Sequence, residues 1–159
     1  MAYHHELLDL ASLLAKITPP TQAGLRRSVF STYYAVFHLL ISEAIKNWSR
    51  DSSRSTLGRM FEHEKMRKVS ESLLKPTTLT AASADPQVIE DLKFIAKTFL
   101  ELQKKRHSAD YDNNIFWEHV EALRIMLLGR RVFATWDKIK NEDIAQEYLV
   151  SMLMKPRPE

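Results

Sequence analysis

The sequence contains no cysteine. That excludes a disulfide framework, a thiolate nucleophile and any Cys-ligated zinc site, and a reducing cytoplasm is the compartment that fits best. Glycine and proline are scarce, 3 and 6 in 159 residues, too few for the tight hairpins of a many-stranded sheet. No apolar run approaches the roughly 18 residues expected of a membrane span, and the start MAYHHELLDLASLL lacks the basic opening of a secretory signal. There is no Gly-rich phosphate loop, which removes nucleotide binding of the P-loop or Rossmann kind. Charge of one sign is nearly absent as an excess: 23 Lys+Arg against 20 Asp+Glu give a formal +3, interspersed along the chain. Such a balance permits RNA contact without demanding it.

What remains is an ordinary globular composition, 45% hydrophobic and 27% charged, at the length of one domain with one core. Three-to-four spacing of apolar residues recurs throughout and strand-like alternation does not. From about Ala2 to Ile17, Leu7, Leu10, Ala11, Leu14 and Ile17 predict an amphipathic helix stopped by Thr18-Pro19-Pro20. From Gln22 to Trp48 runs the longest helical pattern, capped by Thr21 and apolar over most of its circumference, as a central helix should be. A third helix is expected from Arg54 to Leu74, then a Thr/Ala/Ser loop from Lys75 to Pro86. A fourth helix begins at Pro86 with Ile89, Leu92, Ile95, Phe99 and Leu102 inward. A fifth is expected over Asn114 to Trp136, with Phe116, Val120, Leu123, Leu127 and Phe133 inward, and a short last one over Asn141 to Met154. The expected fold is therefore all-α: an up-and-down bundle of four to five main helices plus a short C-terminal helix. It forms one domain over residues 1–154 with a tail at 155–159.

Arg106 breaks this pattern. It stands seven and fourteen residues after Phe99 and Leu92, so an always-charged side chain continues an apolar seam. A buried guanidinium needs a carboxylate, a phosphate or a water-filled cleft. Asp110, one turn on, offers an ordinary helix ion pair worth a few tenths of a kcal/mol. The sharper reading is a polar cleft at the helix end, where Arg106, His107, Asp110 and Tyr111 supply groups suited to phosphate chemistry. On the second helix, Arg27, Ser31, His38 and Ser42 form a narrow polar stripe. A His on a mostly buried helix is more often a hydrogen-bonded structural residue. Accordingly, the stripe either satisfies Arg106 and Asp110 in an internal network or lines an RNA- or nucleotide-binding cleft with them. His4, His5, His63, His107 and His119 lack the spacing of a helical zinc site, so no metal and no cofactor are expected. The basic runs Arg26-Arg27, Lys65 to Lys68, Lys104 to Arg106 and Arg130-Arg131 suit phosphate contact, but such runs usually form solvated faces.

The stretch LRRSVFSTYYAVFH, Leu25 to His38, followed about seventy residues later by RHSADYD, resembles the HEPN superfamily (higher eukaryotes and prokaryotes nucleotide-binding). The likeness is to an uncharacterised bacterial branch with an Arg-x-x-Ala-Asp-Tyr motif, and it spans about Met1 to Leu128. It implies a four-to-five helix up-and-down bundle, a homodimer, and a place in a toxin–antitoxin, defence or stress system, with a nucleotidyltransferase antitoxin as one kind of partner. Many members are metal-independent endoribonucleases whose motif is Arg, a polar residue, then a His after four to six intervening positions. Arg106 and His107 match its beginning, but the positions five to seven after Arg106 are Tyr111, Asp112 and Asn113. The first expectation is therefore an RNA- or nucleotide-binding module. The second is a ribonuclease in which Arg106 stabilises the phosphate and His107 or His38 moves protons. The third is an interaction domain without RNA contact.

Overall fold

The computed structural model describes residues 1–76 and 84–153. Among them run seven helices and no strand: α1 (Tyr3–Ala15), α2 (Gln22–Ile45), α3 (Asp51–Gly58), α4 (His63–Leu73), α5 (Pro86–Tyr111), α6 (His119–Ile139) and α7 (Asp143–Ser151). The protein is an all-α bundle, as the spacing predicts. Much of the expected 75–86 loop and the whole 155–159 tail lie outside the described residues.

Caps start the two longest helices where the sequence places them. The Thr21 hydroxyl accepts from the Gly24 amide at 3.0 Å, and the Asp85 carboxylate accepts from the Gln87 amide at 2.8 Å ahead of Pro86. α2 is the bundle's axis and packs against α1, α5 and α6. Leu25, Val29, Tyr33, Val36 and Leu40 face the core from it. α2 is also long and apolar enough to cross a membrane, but 67% of its most apolar window is buried inside the bundle. α1 returns antiparallel to it, with Gly24 beside Ile17 and Tyr3 beside His38. α5 is antiparallel as well, since Arg26 reaches Ala109 while Tyr33 meets Phe99.

Several expectations need correction. The single third helix is two: Gly58 ends α3, and Phe61, 7% exposed, inserts into the core and turns the chain before α4. The fifth helix starts at His119 and not Asn114, because Gln22 grips the backbone of Trp117 through two 2.9 Å hydrogen bonds and draws it from helical geometry. Its inner face also differs. Phe116, Val120 and Leu127 are exposed, whereas Ala122, Ile125, Gly129, Val132 and Trp136 are buried. Small residues here let α6 approach α2, and apolar counting undervalues them. Leu10 of α1 is exposed while Leu8, Ala11 and Ala15 pack, and Ile17 and Trp48 lie beyond the ends of α1 and α2, exposed.

Gly129 shows the close approach directly, since a Cβ there would sit 2.6 Å from the Thr32 Cγ2 methyl. Alanine gains about 1 kcal/mol of helix propensity, but overpacking a buried contact costs about 1–3 kcal/mol. We expect Gly129→Ala to lower the thermal midpoint by about 2–4 °C, and Thr32→Ser in that background to restore it by removing the methyl. A higher midpoint for Gly129→Ala alone would contradict this packing.

Candidate functional site

The end of α5 is fixed from outside. Arg26 donates through Nη1 to the carbonyls of Ala109 at 2.8 Å and Asp112 at 3.0 Å, and through Nη2 to that of Ile115 at 2.6 Å. A cation on the free carbonyls of a helix C-terminus is favourable in both hydrogen bonding and dipole. Arg26 is therefore a clamp, not a phosphate contact. It holds the last turn of α5, and with it Arg106, in one position.

Arg106 lies over two tyrosine rings of α2. Its Cζ is 5.3 Å from the Tyr33 centroid and 5.7 Å from that of Tyr34, a cation–π seat for an 18% exposed side chain. Its polar contacts are long: Nη1 reaches the Tyr34 hydroxyl at 3.5 Å and Asp110 Oδ2 at 3.6 Å. Nε is buried with no acceptor among the described residues. A guanidinium carries five donors, so this one is held in place but not saturated.

His63, at the start of α4, completes the setting. Its ring stacks on Phe37 at 4.1 Å with a 13° interplanar angle, and its Nδ1 lies 2.7 Å from the Tyr33 hydroxyl. Gln103 donates to the His63 carbonyl at 3.2 Å and to the Tyr33 hydroxyl at 3.4 Å. Burial raises the Tyr33 pKa well above the ordinary tyrosine range, so its hydroxyl keeps its proton. Between α4 and α5 opens a cleft of about 620 Å³ lined by His63, Arg67, Gln103, Lys104, Arg106 and His107 among others. Arg67 pairs with Glu64, which also lines the cleft, and with Glu71, and Lys104 makes no ion pair with the described residues. Among the lining side chains Arg67, Lys104 and Arg106 stand against Glu64, and Glu71 and Asp110 pair with two of those cations, so Lys104 is the lining cation without a carboxylate partner among the described residues.

The structure brings together part of what the sequence nominates. Arg106 and His107 line the cleft, Asp110 touches Arg106, and Tyr111, 69% exposed, meets the His107 ring at 4.9 Å. His38 joins the group only through rings, 6.1 Å from Tyr34 and 4.9 Å from Tyr3. Arg27 lies over Phe30 at 5.0 Å, Ser31 is buried, and neither hydrogen-bonds Arg106 or Asp110. Of the two alternatives for the α2 polar stripe, the internal network with Arg106 and Asp110 is not formed among the described residues. Tyrosines occupy that place. Tyr33, Tyr34, Gln103 and His63 were the residues missed. The tyrosines read as core, and nothing near His63 in the chain signals that α4 folds against this part of α5. Among the described residues no group of three His, Asp or Glu side chains could hold a metal ion.

Three imidazoles titrate below their ordinary range. Burial lowers His63, His38 and His4 alike; Arg106 and His38 lower His63 further, and the neighbouring His5 and Lys46 lower His4. The unfolded chain therefore binds protons on them near its ordinary pKa of about 6.5 before the folded chain does. Their contribution is complete above that pH and is lost as pH falls toward the lower folded values. The thermal midpoint should drop between about pH 7.5 and pH 5.5, above the ordinary carboxylate range, and His63→Phe should drop less. An equal drop in both would contradict the placement of His63. No family model, no curated protein and no solved structure matches this chain, so the site's own geometry carries the functional reading.

Proposed function

We propose that the protein is an RNA-binding module of the HEPN kind whose cleft at the end of α5 binds backbone phosphate through Arg106. The observation that carries this is the incomplete satisfaction of that guanidinium. A structural arginine in a part-buried position normally ends in short, bidentate contacts. Arg106 instead has two long contacts on one nitrogen and an Nε without an acceptor among the described residues, at the wall of an open cleft that Arg67 and Lys104 also line. Nη2 has no partner among the described residues and is not a buried orphan, so it is the donor open to the cleft, and phosphate fits the guanidinium fork. His107 and the exposed Tyr111 beside it supply rings for unstacked bases, the usual mode of single-stranded RNA contact.

A second copy of the chain is the proposed partner. On α1, Tyr3 and Leu10 share one edge at seven-residue spacing, with exposures of 59% and 43%, and Ile17, 39% exposed, follows just past the end of the helix. The 4.9 Å contact of Tyr3 with His38 sets that edge beside the half-buried Phe30 and Tyr34 of α2. Pairing through this face would set the two Arg106 regions side by side. A reducing cytoplasm and a toxin–antitoxin, defence or stress role with a nucleotidyltransferase partner complete the proposal, and both rest on the composition and the family likeness. Cleavage is the weaker reading, since His107 is an exposed ring that hydrogen-bonds neither Arg106 nor Asp110.

Pure protein mixed with labelled single-stranded RNA and EDTA tests this reading. We expect retained binding, no 2′,3′-cyclic phosphate product, and a loss of about tenfold or more in affinity for Arg106→Ala. Arg106→Lys should recover little, because an ammonium lacks the planar fork. Binding equal to wild type in both variants would defeat the assignment, and cyclic phosphate product would convert the module into the enzyme. Sedimentation at micromolar concentration should show two chains and Leu10→Asp one. A wild-type monomer across that range would remove the paired cleft.

A further inference from the structure

Tyr33, Gln103 and His63 form a chain whose direction can be assigned. A backbone carbonyl only accepts, so the Gln103 atom 3.2 Å from the His63 carbonyl is its amide nitrogen. That nitrogen also faces the Tyr33 hydroxyl at 3.4 Å and can only donate to it. The hydroxyl's own proton then points to its remaining close neighbour, His63 Nδ1 at 2.7 Å. An imidazole whose Nδ1 accepts carries its proton on Nε2. Nε2 has no hydrogen-bond partner among the described residues and is not a buried orphan. Its ring lines the cleft.

His63 and Arg106 are neighbours across the same two rings. The His63 centroid is 5.7 Å from Tyr33 and 5.6 Å from Tyr34, and Arg106 Cζ is 5.3 Å and 5.7 Å from them. The parallel stack on Phe37 restrains the imidazole plane, and the Tyr33 bond restrains its rotation within that plane. We propose that His63 is the second phosphate-contacting residue of the Arg106 cleft, with Nε2–H donating to the same RNA phosphodiester that the guanidinium binds. This rests on the RNA-binding reading above and adds to it a residue from a different helix, held in one tautomer before the ligand arrives. Both donors are pre-positioned, so little side-chain ordering remains for binding. Burial and the Arg106 charge keep the imidazole neutral, and a neutral imidazole with its proton on Nε2 is a donor on the cleft side only.

Two measurements test it. Long-range proton–nitrogen spectra of the full chain should show His63 protonated on Nε2 in the wild type and as a mixture of tautomers in Tyr33→Phe. A wild-type His63 protonated on Nδ1 would overturn the proposal. Binding of a labelled single-stranded RNA should weaken about tenfold or more in His63→Phe, which keeps the stack on Phe37, and about threefold or less in His63→Gln, whose amide still donates. Wild-type affinity in a folded His63→Phe, with Arg106→Ala impaired, would overturn the role of His63 and leave the Arg106 cleft standing. Wild-type affinity in Arg106→Ala would overturn the underlying reading and this proposal with it. If His63→Phe does not fold, His63→Gln decides: a loss as large as that of Arg106→Ala overturns the proposal.

Discussion

The hydroxyl of Tyr33 has to be satisfied inside the bundle, and the arrangement of the site follows from how that is done. Tyr33 is fully buried on the central helix, and a buried hydroxyl without a partner costs on the order of 1–3 kcal/mol. Its partners come from two other helices, His63 of α4 and Gln103 of α5. Satisfying one oxygen therefore fixes α4 against α5, opens the cleft between them and sets the imidazole on its wall. The ring beneath that oxygen supplies half of the seat for Arg106. One side chain thus joins the core to the surface that would meet a ligand.

The frame of the bundle was legible in the chain because strong local signals and burial agree. Thr21 caps α2 and Pro86 opens α5 where they should, and Leu92, Ile95, Phe99 and Leu102 form a seam that is buried in full. The errors fall where small residues decide packing. Gly129 and Ala122 give α6 its inner face through close approach, and a count of large apolar residues points instead to Val120 and Leu127, which are exposed. The break between α3 and α4 escaped for a related reason. Phe61 looks like one more apolar residue in a helical run, and only the placement of the core shows that it turns the chain.

The site was legible at one end. An arginine on an apolar seam announces itself, and the ion pair with Asp110 follows from one helical turn. The other half was hidden because it is assembled across long separations: Tyr33 and His63 are 30 residues apart, and Gln103 and Tyr33 are 70 apart. By sequence the basic pair Arg26-Arg27 suits phosphate contact, and the structure gives the two residues different work. Arg26 clamps the carbonyls at the end of α5, whereas Arg27 is exposed over Phe30. Neighbours in sequence, they lie about 100° apart around the helix, so only one can reach α5.

The central claim is that Arg106 is seated by the tyrosines yet left with hydrogen-bonding capacity for a phosphate. Its Nε–H proton reports on that guanidinium, because this donor has no acceptor among the described residues and belongs to the same planar group. Arg124, bound to Glu101 and Glu121, and Arg54, bound to the Trp48 carbonyl, are internal controls on the same molecule. Nuclear magnetic resonance of the guanidinium Nε–H groups, followed as single-stranded RNA is added, should show Arg106 shifting with saturation while Arg124 and Arg54 stay in place. Saturable RNA binding that moves the resonances of other arginines and leaves Arg106 unchanged would contradict the account.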